Sequence, residues 1–494
     1  MLPRRIPSLR RLYTTATQPP PTAPKPVINL KQIRAAPEYH AQNCVDRNYA
    51  AVSAYPTRIV GLYDEWAGLQ RALRGERERL NAISADLRRA VKEEKEALIC
   101  EAQALRGKIS GVEERERCLE KEMKELAIAL PNTTHSEAPV GSEPRMLGYI
   151  NEACAPKEDA DKVVKGHIQI GAELKLLDFA DAGAVSGWGW YYLLNEAVLL
   201  EQALVNYSLS LAMKNGWHLV APPSIIYSHM ASACGFRPRD QNGEQQIYTL
   251  NDGKHALAGT AEIPLAAMHA NKTFAMEDLP MKVVGVGRAY RAEAGSRGVD
   301  SKGLYRVHEF TKVELFAWVP PPAEESHDAS AAATEGEPAS APAKQHPTAD
   351  DVFIEMLELQ KTFLTSLGLY ARILEMPTTD LGASASRKID IEAYMPSRAK
   401  KDPWGEVSSL SNCTDYQSRR LNTKLKLEGG SGKKTVFPYT LNGTACAVPR
   451  VMIAILENGW CEERQGVVVP EVLRPFMGGI DFIGRKKESF PMCS

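Results

Sequence analysis

Residue types able to do chemistry gather between Met281 and Phe316, where MKVVGVGRAYRAEAGSRGVDSKGLYRVHEFTKVELF reads as strand, loop, strand. Side chains alternate across a strand, so Met281, Val283, Gly285, Gly287, Ala289, Arg291 and Glu293 share one face. Its small residues leave room for a ligand beside one arginine and one glutamate. On the second strand the same period brings Arg306, His308, Phe310 and Glu314 together, a face too charged for an ordinary core, whose ring can stack on a flat substrate. Between the strands, Gly295, Gly298 and Gly303 with Ser296, Asp300 and Ser301 form a loop of about ten residues, longer than a hairpin needs and of the kind that closes over a ligand. The plain alternative is a solvated hairpin.

Several elements must position these strands. The chain has 494 residues, 44% hydrophobic and 24% charged, enough for two or three domains with real cores. No stretch is long and apolar enough to span a bilayer; Tyr191 to Val205, broken by Asn195, Glu196, Glu201 and Gln202, reads as an amphipathic helix, so no membrane partner is expected. A net charge of −1 announces no polyanionic partner, although a local basic surface can still bind nucleic acid. Nine cysteines without a C-x-x-C pair point to reduced thiols and argue against a zinc site.

Residues 1–37 contain no acid, while Arg4, Arg5, Arg10, Arg11 and Lys25 lie among Ser, Thr and Pro, the composition of a mitochondrial transit peptide; a disordered basic tail is the alternative. From residue 38 to 135 two apolar series step by three and four: Ile59, Leu62, Trp66, Leu69, Leu73, Leu80, Ile83, Leu87 and Ala90, then Leu98, Ala102, Leu105, Ile109, Val112, Leu119, Met123, Leu126 and Leu130. Glu76 and Glu116 interrupt them. Pairing the series from the tip outwards gives a nearly constant residue-number sum, as an antiparallel coiled-coil hairpin within one chain requires. At 1.5 Å per residue each leg is roughly 50 Å long, so a projecting arm is expected. Its exposed bases include Arg88, Arg89 and Lys92. A solvated helix face would account for them equally well.

From residue 136 to 494 strand-like and helical segments alternate without βαβ spacing, which reads as an α+β domain with a mainly antiparallel sheet. Residues 320–350, rich in Pro, Ala, Glu and Ser, read as a disordered insertion. Nucleotide fingerprints fail: EGGSGKKT has Leu427 where a Walker loop needs glycine and Lys434 where it needs Ser or Thr, and GVGRAY lacks the last glycine of the dinucleotide motif. Any nucleotide must therefore be held by an antiparallel sheet and arginines.

Taken together, NGWHLVAPP (Asn215 to Pro223), RAEAGSRGVDSKGLYRVHEFTKVE (Arg291 to Glu314) and NGTACAVPRVMIAILEN (Asn442 to Asn458) resemble motifs 1, 2 and 3 of the seryl-tRNA synthetases, class II enzymes, here in a mitochondrial form. LAGTAEIPL (Leu257 to Leu265) and GEVSSLSNCTDYQSRR (Gly405 to Arg420) resemble segments peculiar to that family. The resemblance runs from about Asn29 to Pro475 outside the insertion. It implies a class II catalytic domain preceded by a tRNA-binding arm, and a homodimer built on motif 1.

The resemblance also implies roles. Arg291 would hold the α-phosphate of ATP and Arg450 the far phosphate, both catalytic; a planar guanidinium suits two phosphate oxygens. Glu293 would contact the adenine amino group, Phe310 would stack on the ring, and Ala292, Val307, Val407 and Ser408 would complete the ATP site. Glu406 and Ser409 would share Mg2+ and phosphate, hard oxygen donors for a hard cation. L-Serine would meet Thr260, Ala261, Glu262, Glu314 and Thr444, and serine tRNA would meet Arg88, Arg89 and Lys92. Location in the mitochondrial matrix follows from the same resemblance. Ala445, Cys446 and Pro449 depart from the glycine-rich approach to the motif 3 arginine. A ligase passing an adenylate to a non-tRNA acceptor, a synthetase relative that has lost charging, and a coiled-coil scaffold with an inert head are the competing readings.

Overall fold

The computed structural model describes residues 20–89, 91–156, 164–236, 246–293, 303–322, 346–398, 402–427 and 434–485. The chain divides into two units: one of residues 27–134 with 378–383, the other of the remainder.

The smaller unit is helical: α1 (Leu30–Ala35), α2 (Pro37–Asp46), α3 (Tyr55–Ala72), α4 (Arg74–Asp86) and α5 (Lys92–Ile128). Sequence sets these limits locally. The Asn29 side chain accepts from the Gln32 amide to start α1, and prolines open α2 and α3, where a missing N–H costs nothing. The expected seam forms between α3–α4 and α5. Ile59 is buried with Ala127 and Leu130, and Leu62 with Leu119 and Met123. Ion pairs Arg58–Glu122, Glu65–Arg115 and Arg79–Glu101 cross it, all with the same residue-number sum. Where the apolar pattern lapses, buried Glu116 meets Arg77 at 2.7 Å, and Arg77 also donates to Gln70.

Two expected boundaries move. Residues 30–37, assigned to the leader, already form α1 and the start of α2, because Ile33 packs into the same core as Ile59. The unit also takes in a distant strip, residues 378–383. Buried Arg47 donates to the carbonyls of Asn132 and Gly382, and the Asn132 amide donates to Ala383.

The larger unit is α+β. Eight strands, β1 (Arg145–Ile150), β2 (His218–Val220), β3 (Met281–Tyr290), β4 (Glu309–Val319), β5 (Ala371–Glu375), β6 (Arg387–Tyr394), β7 (Trp404–Asn412) and β8 (Tyr439–Ala447), form one sheet ordered β1-β5-β6-β7-β8-β4-β3-β2. All pairs are antiparallel except β2 with β3. Strand β8 is buried along its whole length, as its place between β7 and β4 demands. Three long helices, α6 (Glu196–Lys214), α7 (Ala349–Ser366) and α8 (Val448–Asn458), share the main core with the sheet. Helix α6 begins five residues after the expected Tyr191, Tyr192–Leu193 being a short strand. Among the described residues no helix is long and apolar enough to cross a membrane.

The insertion ends sooner than its composition suggests. Thr348 and Asp351 form a reciprocal cap that starts α7, and Ala349 is buried, so residues 348–350 belong to the fold. The stretch 323–345 lies outside the described residues, as do residues 294–302 of the glycine-rich loop.

Candidate active site

Strands β3 and β4 pair so that Gly285 faces Glu314, Gly287 faces Lys312 and Ala289 faces Phe310. The glycines do not leave room for a ligand, contrary to the expectation from their size. A Cβ on Gly285 would stand 3.2 Å from the Val220 carbonyl and 3.3 Å from Leu265; on Gly287 it would stand 3.2 Å from the Ala261 Cβ. They let the segment around Ala261 and helix Glu262–Ala267 lie directly on the sheet. The open part of the face is farther along the strands.

There Arg291, Glu293, Tyr305, Arg306, Val307, Phe310, Pro449 and Arg450 line a cleft with about 250 Å3 of atom-free space. The Arg291 guanidinium carbon lies 5.3 Å from the Phe310 ring centroid, and its amide donates to the His308 carbonyl. Burial and the nearby Arg450 charge push the Arg291 pKa down. Glu293, in left-handed backbone at φ 47°, accepts from Arg306 at 2.8 Å. From the first turn of α8, Arg450 donates to the Tyr305 carbonyl at 3.2 Å and to the Glu406 carbonyl and carboxylate, both at 3.0 Å. Desolvation would raise the Glu406 pKa, but Arg450, Lys388 and Arg291 outweigh it and hold the carboxyl down at about 2. The cleft therefore combines three guanidinium groups, that of Arg306 paired with Glu293, an aromatic face and the ionised Glu406 carboxylate.

A β-bulge sets the orientation of Glu406. Across β6 and β7, Asp390 pairs with Ser409 and Ile391 with Ser408, but Glu392 pairs with Glu406, leaving Val407 as the extra residue. That shift puts Glu406 and Ser409, three apart, on one face. A second irregularity, at Ala445 in β8, lies next to it. Carbonyls freed there find donors: Ser408 Oγ and Gln360 Nε2 both donate to the Thr444 carbonyl, and Gln360 also to that of Ser409.

Deeper along the same face is a buried polar cluster. Thr260, Glu262, Lys312, Glu314, Asn442 and Thr444 are all buried. Lys312 Nζ stands 2.6 Å from a Glu314 oxygen and 3.5 Å from Thr444 Oγ1, and Ser409 Oγ lies 3.3 Å from the same hydroxyl. Glu262 accepts from Gln417 at 2.6 Å and from Asn442 at 3.0 Å. Burial first, and the Glu314 charge second, raise the Glu262 pKa to about 8, against the pull of Lys312, Gln417 and Arg291. At neutral pH that carboxyl carries a proton, which the positive charge of a cation bound beside it would drive off to solvent.

The class II tRNA synthetase core domain shared by the G, H, P, S and T enzymes matches residues 248–335 and 341–459, and the seryl-tRNA synthetase N-terminal domain matches residues 27–134. The mitochondrial serine–tRNA ligase of Saccharomyces cerevisiae is 44% identical over 367 residues, 74% of this chain and 75% of that protein. The chain belongs to the seryl-tRNA synthetase family. Its chemistry is that of a serine–tRNA ligase. The mitochondrial enzyme of Schizosaccharomyces pombe is 38% identical over 485 residues, covering 94% of this chain and 91% of that one. Among solved structures, seryl-tRNA synthetase from Pyrococcus horikoshii complexed with ATP matches with TM-score 0.80 and 30% identity, over 93% of this chain and 100% of that chain.

Within this synthetase most residues named from the sequence fall in one place. Arg291, Glu293, Val307, Phe310 and Arg450 line the cleft, Glu406 adjoins it, and Thr260, Glu262, Glu314, Thr444 and Ser409 belong to the polar cluster beneath it. Four do so without offering a side chain to it. Val407 and Ser408 turn into the core, Ala261 fills the notch over Gly287, and the Ala292 amide donates to Gln246. His308 leaves the face altogether: β4 begins at Glu309, and the imidazole packs beside Trp188, Trp190 and Tyr248. Arg88 and Arg89 are exposed after the end of α4, while the placement of the Lys92 side chain is outside the description.

Sequence reasoning missed Tyr305, Lys312, Gln417 and Asn442. Lys312 carried a signal, since it shares the even-numbered face of Phe310 and Glu314. Gln417 and Asn442 carried none, because their contact with Glu262 depends on packing between segments far apart in the chain.

Proposed function

We propose that the chain activates L-serine with ATP in the cleft and polar cluster described, then passes the seryl group to the 3′ end of serine tRNA inside mitochondria. One observation carries the reading. A cleft with three guanidinium groups and an aromatic face adjoins a buried cluster holding two carboxyls, an ammonium and the hydroxyls of Thr260, Thr444 and Ser409, and Arg291 is electrostatically coupled to both. The cleft suits a nucleoside triphosphate and the cluster suits a small zwitterion with one hydroxyl.

Arg291 holds the α-phosphate between the two compartments, and Arg450 holds the distal phosphates. Phe310 stacks on adenine, and Glu293 accepts from its amino group once Arg306 yields. Glu262 and Glu314 take the serine ammonium, Lys312 keeps Glu314 in place, and the Thr260 and Thr444 hydroxyls meet the substrate's hydroxyl. A pocket that hydrogen-bonds that hydroxyl refuses alanine strongly, since buried partners would be left unpaired. The serine carboxylate attacks the α-phosphorus as the bond to the α,β-bridging oxygen breaks, giving seryl-adenylate and pyrophosphate; the attacking oxygen is already ionised, so no side-chain base is needed, and positioning and charge stabilisation carry the step. The ionised Glu406 and the Ser409 hydroxyl are oxygen donors that fit Mg2+, and that ion would neutralise phosphate charge.

The acceptor step is supported by the helical hairpin, whose exposed Arg88 and Arg89 we assign, with Lys92, to the tRNA backbone. A homodimer is supported by the edge strand β2, where Leu219 is half exposed beside exposed Ile225 and Tyr227. Mitochondrial placement, with the matrix as its site, rests on the yeast relatives and on the acid-free leader.

The deciding experiment is pyrophosphate exchange into ATP with each of the twenty amino acids, followed by charging of serine tRNA. Serine alone should support exchange. Exchange with serine but no charging would favour the non-tRNA acceptor instead.

A further inference from the structure

Tyr305 is tied to the cleft at three points. Its carbonyl accepts from Arg450, its hydroxyl accepts from the Glu406 amide at 3.2 Å, and its ring lies 4.6 Å from the Arg450 guanidinium and 4.3 Å from that of Arg398. Whatever seats Tyr305 therefore seats Arg450 and Glu406.

What seats it lies outside the cleft. The amide of Leu304, one residue upstream, donates to His167 Nε2 at 3.2 Å. Nδ1 of the same buried imidazole lies 2.8 Å from Glu457 Oε1. Since Leu304 N–H needs an acceptor, Nε2 is bare and Nδ1 carries the proton, which it donates to the carboxylate. Glu457 is also buried, and it accepts from the His167 amide at 2.9 Å, the Ser397 hydroxyl at 2.8 Å and the Ser397 amide at 3.0 Å. Ser397 sits in the turn Pro396–Arg398, so one carboxylate secures the backbone under Tyr305 and also the turn that carries Arg398. Glu457 stands two helical turns beyond Arg450 on α8. Gly303 completes the seat: at φ 68° its Cβ would stand 2.1 Å from His167 Nε2.

We propose that His167, oriented by Glu457, is a positioning residue for ATP: it fixes the returning limb of motif 2 at Leu304 and thereby sets Tyr305 against Arg450 and Glu406. The inference rests on the reading of the cleft as the ATP site. Its prediction is selective, because none of these bonds reaches the polar cluster assigned to serine.

His167→Leu keeps the volume and removes the acceptor, whereas His167→Gln restores an acceptor at nearly the same reach. In pyrophosphate exchange His167→Leu should raise the KM for ATP about tenfold with the KM for serine within about twofold, the usual scale for outer supports of a site. His167→Gln should recover most of that loss. Equal KM for ATP in folded His167→Leu and the native enzyme overturns the proposal, as does a loss in His167→Gln as large as that in His167→Leu, which would make the imidazole mere packing. Should His167→Leu not fold, Gly303→Ala carries the test, because its methyl displaces the limb without opening the core. An unchanged KM for ATP there is equally fatal. Arg450→Ala is the control: if it leaves exchange intact, the reading of the cleft fails, and the failure is then not that of His167.

Discussion

The two units use charge in opposite ways. In the helical hairpin, the Arg77–Glu116 pair apart, it lies at the surface, in pairs such as Arg58–Glu122 and Arg79–Glu101 that water and salt can reach, and in the exposed Arg88 and Arg89. In the sheet unit charge is gathered at one site and its protonation is preset: Glu406, partly exposed but flanked by Arg450, Lys388 and Arg291, is held ionised at about 2, while buried Glu262 holds its proton up to about 8. Surface charge of the first kind contributes little to stability and remains available for a diffusing polyanion. Buried charge acts on a bound ligand without reorganising. On the proposed reading, long-range capture and short-range chemistry are built from the same residue types in different dielectric surroundings.

Arg291→Ala should test the buried side hardest, lowering pyrophosphate exchange on the order of a thousandfold, as loss of a preorganised group at a developing charge does. Circular dichroism should stay native. Retained exchange would remove Arg291 from the chemistry. On the exposed side, replacing Asn81 to Gln103 by a short turn should cost tRNA charging on the order of a hundredfold and leave exchange within about twofold, because phosphate contacts supply affinity and carry no chemistry. Charging by the intact enzyme should also fall with added salt faster than exchange does. If both activities fall together, the division between the units is wrong.

Smaller effects sharpen the contrast. Lys312→Met leaves Glu314 buried beside Glu262 without its ammonium and should cost about 3 kcal/mol in denaturant unfolding. Glu262 supplies a pH signature. Its folded pKa is raised from 4.5 to about 8, so the stability it contributes is full below 4.5 and is lost as pH rises through about 8. Glu262→Gln should flatten that fall in melting temperature and remove the pH dependence of the KM for serine. The smallest effect belongs to the edge of the insertion: removing residues 323–345 should leave exchange unchanged, while Thr348→Ala should cost about 1 kcal/mol by uncapping α7.

Patterns confined to one segment were legible in the sequence. The seam from Ile59 to Leu130 needs only the period of a helix, and the cleft face of β3 and β4 needs only alternation. Alternation stopped being a guide at Val407, where the bulge lets Glu406 and Ser409 agree in direction, and at His308, which precedes β4. Nor can composition tell an empty notch from a filled one, so Gly285 and Gly287 read as space for a ligand until Leu265 and Ala261 were seen against them. The leader composition ran on into α1, because α1 contains bases and no acids. The supports of Glu262 and the seat of Tyr305 join residues more than a hundred positions apart, and no local pattern encodes them.

Glu116 and its partner Arg77 have a bearing on length. A slip of the hairpin by one heptad would carry that carboxylate away from its guanidinium and set it against leucines, at a cost no exposed ion pair could return. The legs are therefore locked in one register, and the distance from the base of the hairpin to its tip is fixed like the graduation on a ruler. On the proposed reading of the hairpin as the tRNA-binding element, its grip is presented at one set reach from its own base.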